Sequence, residues 1–246
     1  MKNAFATLML LVLLISSCIG GPQRRQADTV EDLMQSTVQI HVDIAATALL
    51  EADGGIQEVP IEQSWVGSGV VYAKTSGLLA PVKSKILSAH HVLDVPPPGA
   101  IVAGPFGPVR IDAVLMTIRT RTGLGCSLTP VTLGDYETGD VAVGIADCDA
   151  GRVAEIADAM PAPGSKVIVT GHPLGVPVAI TTEGYVSGWL DGFMLISAPA
   201  FGGNSGGPVW YNGKVIGLLV RGAPRYPMIS LVTPLAAVLE RVAQTP

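Results

Sequence analysis

Apolar and polar residues alternate strictly near the start of the chain. The apolar positions are Val38, Ile40, Val42 and Ile44, and polar residues stand between them. A period of two is typical of a β-strand with one buried face. His41 falls on the polar phase, so we interpret it as a surface residue and not as a metal ligand, since no other ligand lies at metal-type spacing.

Short apolar runs bounded by glycine and proline recur along the rest of the chain. They cover residues 64–72, 85–93, 101–102, 109–118, 126–133, 140–145, 166–169, 179–182, 184–189, 193–196, 208–210, 215–220 and 228–232. Long stretches of helical period are nearly absent, which predicts an all-β barrel or sandwich. The exceptions are a short helix at 153–159, in a connector rich in proline, and a terminal helix at 235–242 that follows Thr233-Pro234.

The composition supports a folded domain and excludes one class of partner. Hydrophobic residues make up 48% of the chain and charged residues 14%, which suffices for a sizeable core. The formal net charge is −5, and no Lys/Arg cluster occurs beyond Arg24-Arg25. Nucleic-acid binding requires a basic face, so nucleic acid is not expected as a partner.

The first residues have the pattern of an export signal. Lys2 precedes an apolar run over residues 4–15 that is too short to span a bilayer as a helix. Residues 15–18, Ile-Ser-Ser-Cys, resemble a bacterial lipobox, which implies a signal peptide over 1–17, lipidation of Cys18 and a flexible tether over 18–33. We therefore expect an exported cell-envelope protein, anchored by lipid in the periplasm or at the outer membrane. An ordinary signal peptide with a stray cysteine is the alternative.

Two further cysteines remain, Cys126 and Cys148. An even pair in an exported protein is compatible with a disulfide, and two buried free thiols are the alternative. The pair brackets Asp140.

A glycine-dense stretch at residues 201–208, Phe-Gly-Gly-Asn-Ser-Gly-Gly-Pro, lies between two apolar runs. Glycines permit the backbone conformations that expose a central serine and turn neighbouring N–H groups the same way. Such a loop can form an oxyanion hole around Ser205, although a simple hairpin loop is the plainer interpretation. A serine hydroxyl reacts only with an adjacent base, and histidine is the usual one.

The string Gly-Asn-Ser-Gly-Gly-Pro resembles the nucleophile motif of trypsin-like serine proteases, in particular that of the HtrA/Deg group. Leu-Ser-Ala-His-His-Val at 87–92 and Gly-Asp-Val-Ala-Val at 139–143 resemble the histidine and aspartate motifs, in the same order along the chain. The resemblance implies a triad of His91, Asp140 and Ser205. His90 remains the neighbouring alternative for the base, and Asp135 is the main competitor for the carboxylate.

Two more strings extend the resemblance, Gly-Ser-Gly-Val-Val at 67–71 and Thr-Gly-His-Pro-Leu-Gly at 170–175, in which His172 is interpreted as a turn residue. The implied fold is all-β, with two six-stranded antiparallel β-barrels and a short C-terminal helix. The N-terminal barrel would cover 34–150, and 151–246 would hold the linker, the second barrel and the helix. No PDZ domain is expected after it. Phe201-Gly202 departs from the Asn-Pro often found in HtrA proteins.

The resemblance also places the parts that bind substrate. The oxyanion hole would use the N–H groups of Gly203 and Ser205, with Asn204 between them. The substrate pocket would have its floor at Pro199 and its wall at Leu219, Val220 and Arg221. Because Pro199 is not acidic, we expect a small or aliphatic P1 side chain instead of Lys or Arg. No metal or other cofactor is implied.

The sequence thus predicts a serine endopeptidase that acts on proteins or peptides through an acyl-enzyme on Ser205. An inactive, membrane-tethered binding or scaffold protein with the same fold is the alternative, and another acyl hydrolase such as an esterase would use the same triad. The oligomeric state is left open.

Overall fold

The computed structural model describes residues 29–52, 54–77, 80–133, 139–223 and 226–235. Within these ranges the chain forms thirteen β-strands, two short α-helices and one 3-10 turn. The predicted signal peptide, Cys18 and all but the first residue of the predicted C-terminal helix lie outside them. None of the helices in the described ranges is long and apolar enough to cross a membrane.

Helix α1 (Val30–Gln35) precedes the first barrel. Thr29 caps it in a capping box, in which the Thr29 side chain accepts from the Asp32 N–H and the Asp32 carboxylate accepts from the Thr29 N–H. Arg152 forms an ion pair with the same carboxylate. The sequence predicts a flexible tether up to residue 33, and this bound is wrong. Residues 30–33 belong to α1, because Thr29 and Arg152 hold its first turn through Asp32.

The first barrel is built from seven strands. Their bounds are β1 Thr37–Ala52, β2 Gly55–Thr75, β3 Lys83–Ala89, β4 Ile101–Gly104, β5 Gly107–Arg119, β6 Gly125–Leu133 and β7 Val141–Ala146. Their order is β1-β2-β3-β7-β6-β5-β4, and β1 also pairs with β5. Six strands thus form a ring, and β4 extends it from β5. Val38, Ile40 and Val42 are fully buried in the core of this barrel, as the alternation predicts.

The second barrel is a closed ring of six antiparallel strands. They are β8 Lys166–Gly171, β9 Ile180–Leu190, β10 Phe193–Ile196, β11 Pro208–Tyr211, β12 Lys214–Ala223 and β13 Tyr226–Pro234, in the order β10-β13-β12-β11-β8-β9. The all-β double barrel predicted from the sequence is confirmed. Within the described ranges, the extra strand β4 departs from two rings of six.

The barrels pack against each other through a shared apolar cluster. Val70 and Leu87 of the first barrel and Trp210 and Leu218 of the second belong to it, and all four are almost completely buried. Since the cluster fixes one barrel against the other, loops from both can meet at a defined geometry.

The connector between the barrels is irregular, and the helix predicted at 153–159 is wrong. The Ala154 N–H donates to the Val71 carbonyl in the first barrel, and Ile156 bridges to Val215 in the second. These pairings satisfy backbone groups that a helix would otherwise have satisfied internally.

A disulfide joins Cys126 of β6 to Cys148, just after β7. The two strands are neighbours in the sheet. On the chain-entropy account, a bridge across a separation of 22 residues stabilises the fold by about 3 kcal/mol.

Candidate active site

His91 and Asp140 meet because their strands are paired. Ala89, the last residue of β3, pairs with Val141, the first of β7. His91 lies just beyond β3, in the short helix α2 (His90–Leu93), and Asp140 just before β7. The register of one strand pair therefore brings the imidazole to the carboxylate.

The Asp140 carboxylate accepts two hydrogen bonds from His91. Its Oδ2 lies 2.8 Å from His91 Nδ1, and its Oδ1 accepts the His91 backbone N–H at 3.0 Å. Asp140 is fully buried, whereas the His91 side chain is 39% exposed. Asp140 has φ 55°, a left-handed conformation that aspartate tolerates better than most residues. The carboxylate is thus held rigidly, and the imidazole opens toward solvent.

The structure pairs His91, and not His90, with this carboxylate. The His90 side chain points to Asp94, with His90 Nδ1 4.0 Å from Asp94 Oδ2. The backbone N–H of His90 donates to the Asp140 carbonyl at 3.0 Å. Asp135, the competing acid, lies outside the described residues.

Ser205 lies in the loop between β10 and β11, pressed against the first barrel. The Ser68 N–H donates to the Ser205 carbonyl at 2.8 Å, and the Gly206 N–H donates to the Leu219 carbonyl at 2.7 Å. A Cβ at Gly206 would lie 2.2 Å from the Ser68 carbonyl oxygen, and its φ is +82°. Glycine is therefore required directly after the serine.

Three successive carbonyls before Ser205 are each fixed by a donor. The Gly202 carbonyl accepts the Leu174 N–H at 2.6 Å, and the Asn204 carbonyl accepts the Gly207 N–H at 2.9 Å. The Gly203 carbonyl accepts the Ser68 hydroxyl at 2.7 Å.

In a trans peptide the N–H points opposite to the carbonyl. The fixed Gly202 carbonyl thereby orients the Gly203 N–H, and the fixed Asn204 carbonyl orients the Ser205 N–H. Among the described residues, neither of these N–H groups has a protein acceptor.

His91 and Ser205 line one cavity of about 460 Å³, between the barrels. The Ser205 hydroxyl donates to the Val220 carbonyl at 3.3 Å, a long hydrogen bond. The His91 imidazole and the Ser205 hydroxyl therefore face the same space, with the hydroxyl turned toward β12.

The remaining lining of this cavity is largely apolar. Leu219 and Val220 are buried in its wall, and Arg221 extends over the Phe193 ring with its guanidinium carbon 5.5 Å from the ring centroid. Ala200 lines the cavity, whereas Pro199, the predicted floor, is half-buried and is not among the residues that line it.

His41 and His172 lie close to each other where the barrels meet. His172 is the N-cap of the 3-10 turn Pro173–Gly175, as predicted for a turn residue, but both side chains are more buried than surface or turn positions suggest. His41 is half-buried, and its Nε2 lies 2.8 Å from Gln39 Oε1. His172 is buried, and its Nδ1 donates to the Val176 carbonyl at 3.0 Å. His172 Nε2 is buried and has no hydrogen-bond partner among the described residues.

Burial lowers the pKa of both histidines below the usual value of 6.5. For His172 the hydrogen bond to Val176 opposes this lowering, and the nearby His41 adds to it. For His41 the charge of Arg119 adds to it, and Asp43 opposes it. The folded protein thus favours two neutral imidazoles.

We expect the free energy of unfolding to decrease as the pH falls below about 6.5, the usual histidine pKa. Below pH 6.5 these histidines bind protons in the unfolded chain but stay neutral in the folded protein. Lowering the pH therefore favours the unfolded chain. His172→Asn removes one such group, and the dependence of stability on pH should become shallower. Urea unfolding of both proteins between pH 8 and pH 5 measures this, and equal slopes would contradict the assignment.

Metal-type donors converge at one place in the described part of the chain, where Cys126, Asp147 and Cys148 lie together. The two sulfurs are joined to each other in the disulfide, so they are not available as thiolate ligands.

Ser68 has contacts to the loop of Ser205 that sequence reasoning did not foresee. The signal present was a serine between two glycines inside a strand. A Cβ at Gly67 would lie 2.4 Å from Val92, and one at Gly69 would lie 2.7 Å from Ile86. The close packing around Ser68 is therefore built into the strand.

A family model for the trypsin-like peptidase domain matches residues 67–218, a range that includes His91, Asp140 and Ser205. No curated protein matches the sequence. Among solved structures, the chain is similar to the serine endoprotease from Yersinia pestis, with a TM-score of 0.61 and 19% identity. The match covers 87% of this chain and 64% of that one, so the chain spans less than two thirds of that protein's length. At this identity the likeness concerns the fold.

Proposed function

Because this chain belongs to the trypsin-like peptidase family, we propose that it is a serine endopeptidase that uses Ser205 as nucleophile, His91 as base and Asp140 as the residue that orients the base. The observation that carries the proposal is the buried Asp140 carboxylate, which accepts both the ring and the backbone N–H of His91. It fixes the tautomer with the proton on Nδ1. The second ring nitrogen, Nε2, is then left as a base for a hydroxyl in the shared cavity.

The reaction begins when the Ser205 hydroxyl turns from the Val220 carbonyl toward His91 Nε2, since catalytic hydrogen bonds are often long before substrate binds. The oxygen attacks the scissile carbonyl carbon while its proton passes to Nε2. The N–H groups of Gly203 and Ser205 stabilise the resulting oxyanion, each by about 3 kcal/mol. The C–N bond breaks as Nε2 returns the proton to the departing amine.

The acyl-enzyme is hydrolysed by the same groups. His91 Nε2 removes a proton from water, the hydroxide attacks the ester carbonyl, and a second oxyanion forms in the same place. Collapse releases the carboxylic acid, and the proton on Nε2 returns to Ser205. Each step moves a proton between an oxygen or nitrogen and one imidazole, so no cofactor is required.

The substrates are proteins or peptides, with a small or aliphatic side chain at P1. Supporting this preference, Ala200, Leu219 and Val220 line the cavity, and none of its described lining residues is a carboxylate. A cationic P1 side chain would find no counter-charge there, and Arg221 in the wall would repel it.

Fluorophosphonate labelling of the purified protein tests the proposal. We expect one label per chain, mapped to the peptide that contains Ser205, no label in His91→Ala, and cleavage of intact casein after small or aliphatic residues. A folded wild-type protein that takes no label would overturn the proposal and favour the inactive scaffold. Labelling with ester hydrolysis but no cleavage of casein would instead indicate another acyl hydrolase.

A further inference from the structure

We infer that Ser68, a residue of the first barrel, positions the oxyanion hole of the second. This inference rests on the proposed function. Ser68 lies in β2 and is fully buried. Its hydroxyl donates to the Gly203 carbonyl at 2.7 Å, across a sequence separation of 135 residues. The same oxygen accepts the His172 N–H at 2.9 Å.

The Gly203 carbonyl belongs to the peptide that lies between the two proposed oxyanion donors. The Gly203 N–H precedes this peptide, and the Ser205 N–H follows it. Rotation of the peptide would change the backbone angles on both sides and separate the directions of the two N–H groups. By holding this carbonyl, Ser68 keeps both donors directed to one point.

The second bond of the hydroxyl couples the oxyanion loop to its neighbour. His172 begins the 3-10 turn Pro173–Gly175, and the Leu174 N–H in that turn holds the Gly202 carbonyl. One side chain therefore fixes the Gly203 carbonyl directly and the Gly202 carbonyl through the turn. The backbone of Ser68 adds a third contact through its N–H to the Ser205 carbonyl.

Two neighbouring glycines leave room for the Ser68 side chain. A Cβ at Gly171 would lie 3.1 Å from the Ser68 hydroxyl oxygen, and one at Gly207 would lie 3.4 Å from the Ser68 Cβ. Alanine at 68 would fit, but it would leave the Gly203 carbonyl and the His172 N–H buried without their partner. The loop would then relax to recover hydrogen bonds, and the orientation of the donors would be lost.

Ser84 offers a matched control on β3. It is also fully buried, and its hydroxyl likewise donates to one carbonyl, that of Cys148, and accepts one backbone N–H, that of Ala150, both at 2.9 Å. None of these residues lines the cavity of Ser205. Ser68→Ala and Ser84→Ala thus remove the same kind of hydroxyl, one beside the oxyanion loop and one away from it.

Peptide hydrolysis and urea unfolding of both variants test the inference. We expect both to lose stability, but only Ser68→Ala to lose kcat, by about 10- to 100-fold, below the loss for removing an oxyanion donor itself. KM and the pH profile should stay unchanged, because the His91–Asp140 pair is untouched. Ser68→Cys keeps a weaker donor, so its kcat should lie between those of Ser68→Ala and wild type. If Ser68→Ala does not fold, Ser68→Cys serves as the test variant.

Equal kcat values for Ser68→Ala and Ser84→Ala, or a wild-type kcat for Ser68→Cys, would overturn the inference while leaving the proposed function intact. A loss in Ser68→Ala that falls on KM alone would do the same, since it would indicate substrate binding. The failure of wild-type protein to take the fluorophosphonate label would instead remove the proposed function.

Discussion

Asparagine in place of Asp140 is expected to lower kcat by about 10⁴-fold while the fold remains intact. Asparagine has nearly the size and shape of aspartate, so the fully buried site can hold it. What changes is hydrogen bonding, because one of the two carboxylate oxygens becomes an NH₂ group that only donates.

The structure determines which way the new amide turns. The His91 backbone N–H always donates, and it points at the Oδ1 position at 3.0 Å. The amide oxygen must take that place, and the NH₂ group then faces His91 Nδ1. An NH₂ group there requires Nδ1 to accept, so the ring proton moves to Nε2. That nitrogen can no longer take the proton of Ser205.

Steady-state hydrolysis of a peptide substrate by wild type and Asp140→Asn measures this effect. The Asp135→Asn variant is the control, since the sequence leaves Asp135 as the rival carboxylate. We expect Asp135→Asn to retain the wild-type kcat. A large loss in Asp135→Asn with near-normal activity in Asp140→Asn would reverse the assignment of the two acids.

The part of the fold that could be predicted is the part that depends on local pattern. The buried face of β1 follows from the alternation at Val38, Ile40 and Val42. Gln39 shows the limit of that signal. It lies on the polar phase of the strand, yet it is fully buried, and its Nε2 donates to the Gly175 and Val176 carbonyls of the second barrel. Alternation separates the two faces of a strand but does not say what covers the polar one.

The candidate site divides in the same way. His91, Asp140 and Ser205 are predicted from local strings that resemble the motifs of trypsin-like proteases, and their catalytic roles remain a prediction. The contacts that orient the oxyanion loop join segments far apart in the chain, as between Ser68 and Gly203. No pattern within either segment specifies such a contact. It arises only when the two barrels pack, and the buried state of His172 has the same origin.

The second large effect is expected for Gly203→Ala, because this position has no room for a side chain. Gly203 has φ +95°, and a Cβ there would lie 2.3 Å from the His172 carbonyl oxygen and 3.1 Å from the Leu174 nitrogen. Alanine would cost about 1–3 kcal/mol in backbone strain and would push the loop away from the turn that holds it. We expect kcat to fall by about 10²- to 10³-fold, the usual cost of losing one oxyanion donor.

Gly192→Ala separates strain from the loss of the oxyanion hole. Gly192 lies in the turn between β9 and β10 with φ +83°, and a Cβ there would meet no atom within 4 Å. Both variants impose the left-handed conformation on alanine, so both should lose some stability in urea unfolding. Only Gly203→Ala should lose kcat and affinity for a peptidyl boronic acid, whose tetrahedral adduct on Ser205 requires the same N–H donors.

If Gly203→Ala kept the kcat and boronate affinity of Gly192→Ala, the oxyanion would have to be stabilised elsewhere. The fixed carbonyls of Gly202, Gly203 and Asn204 would then serve only to hold the loop.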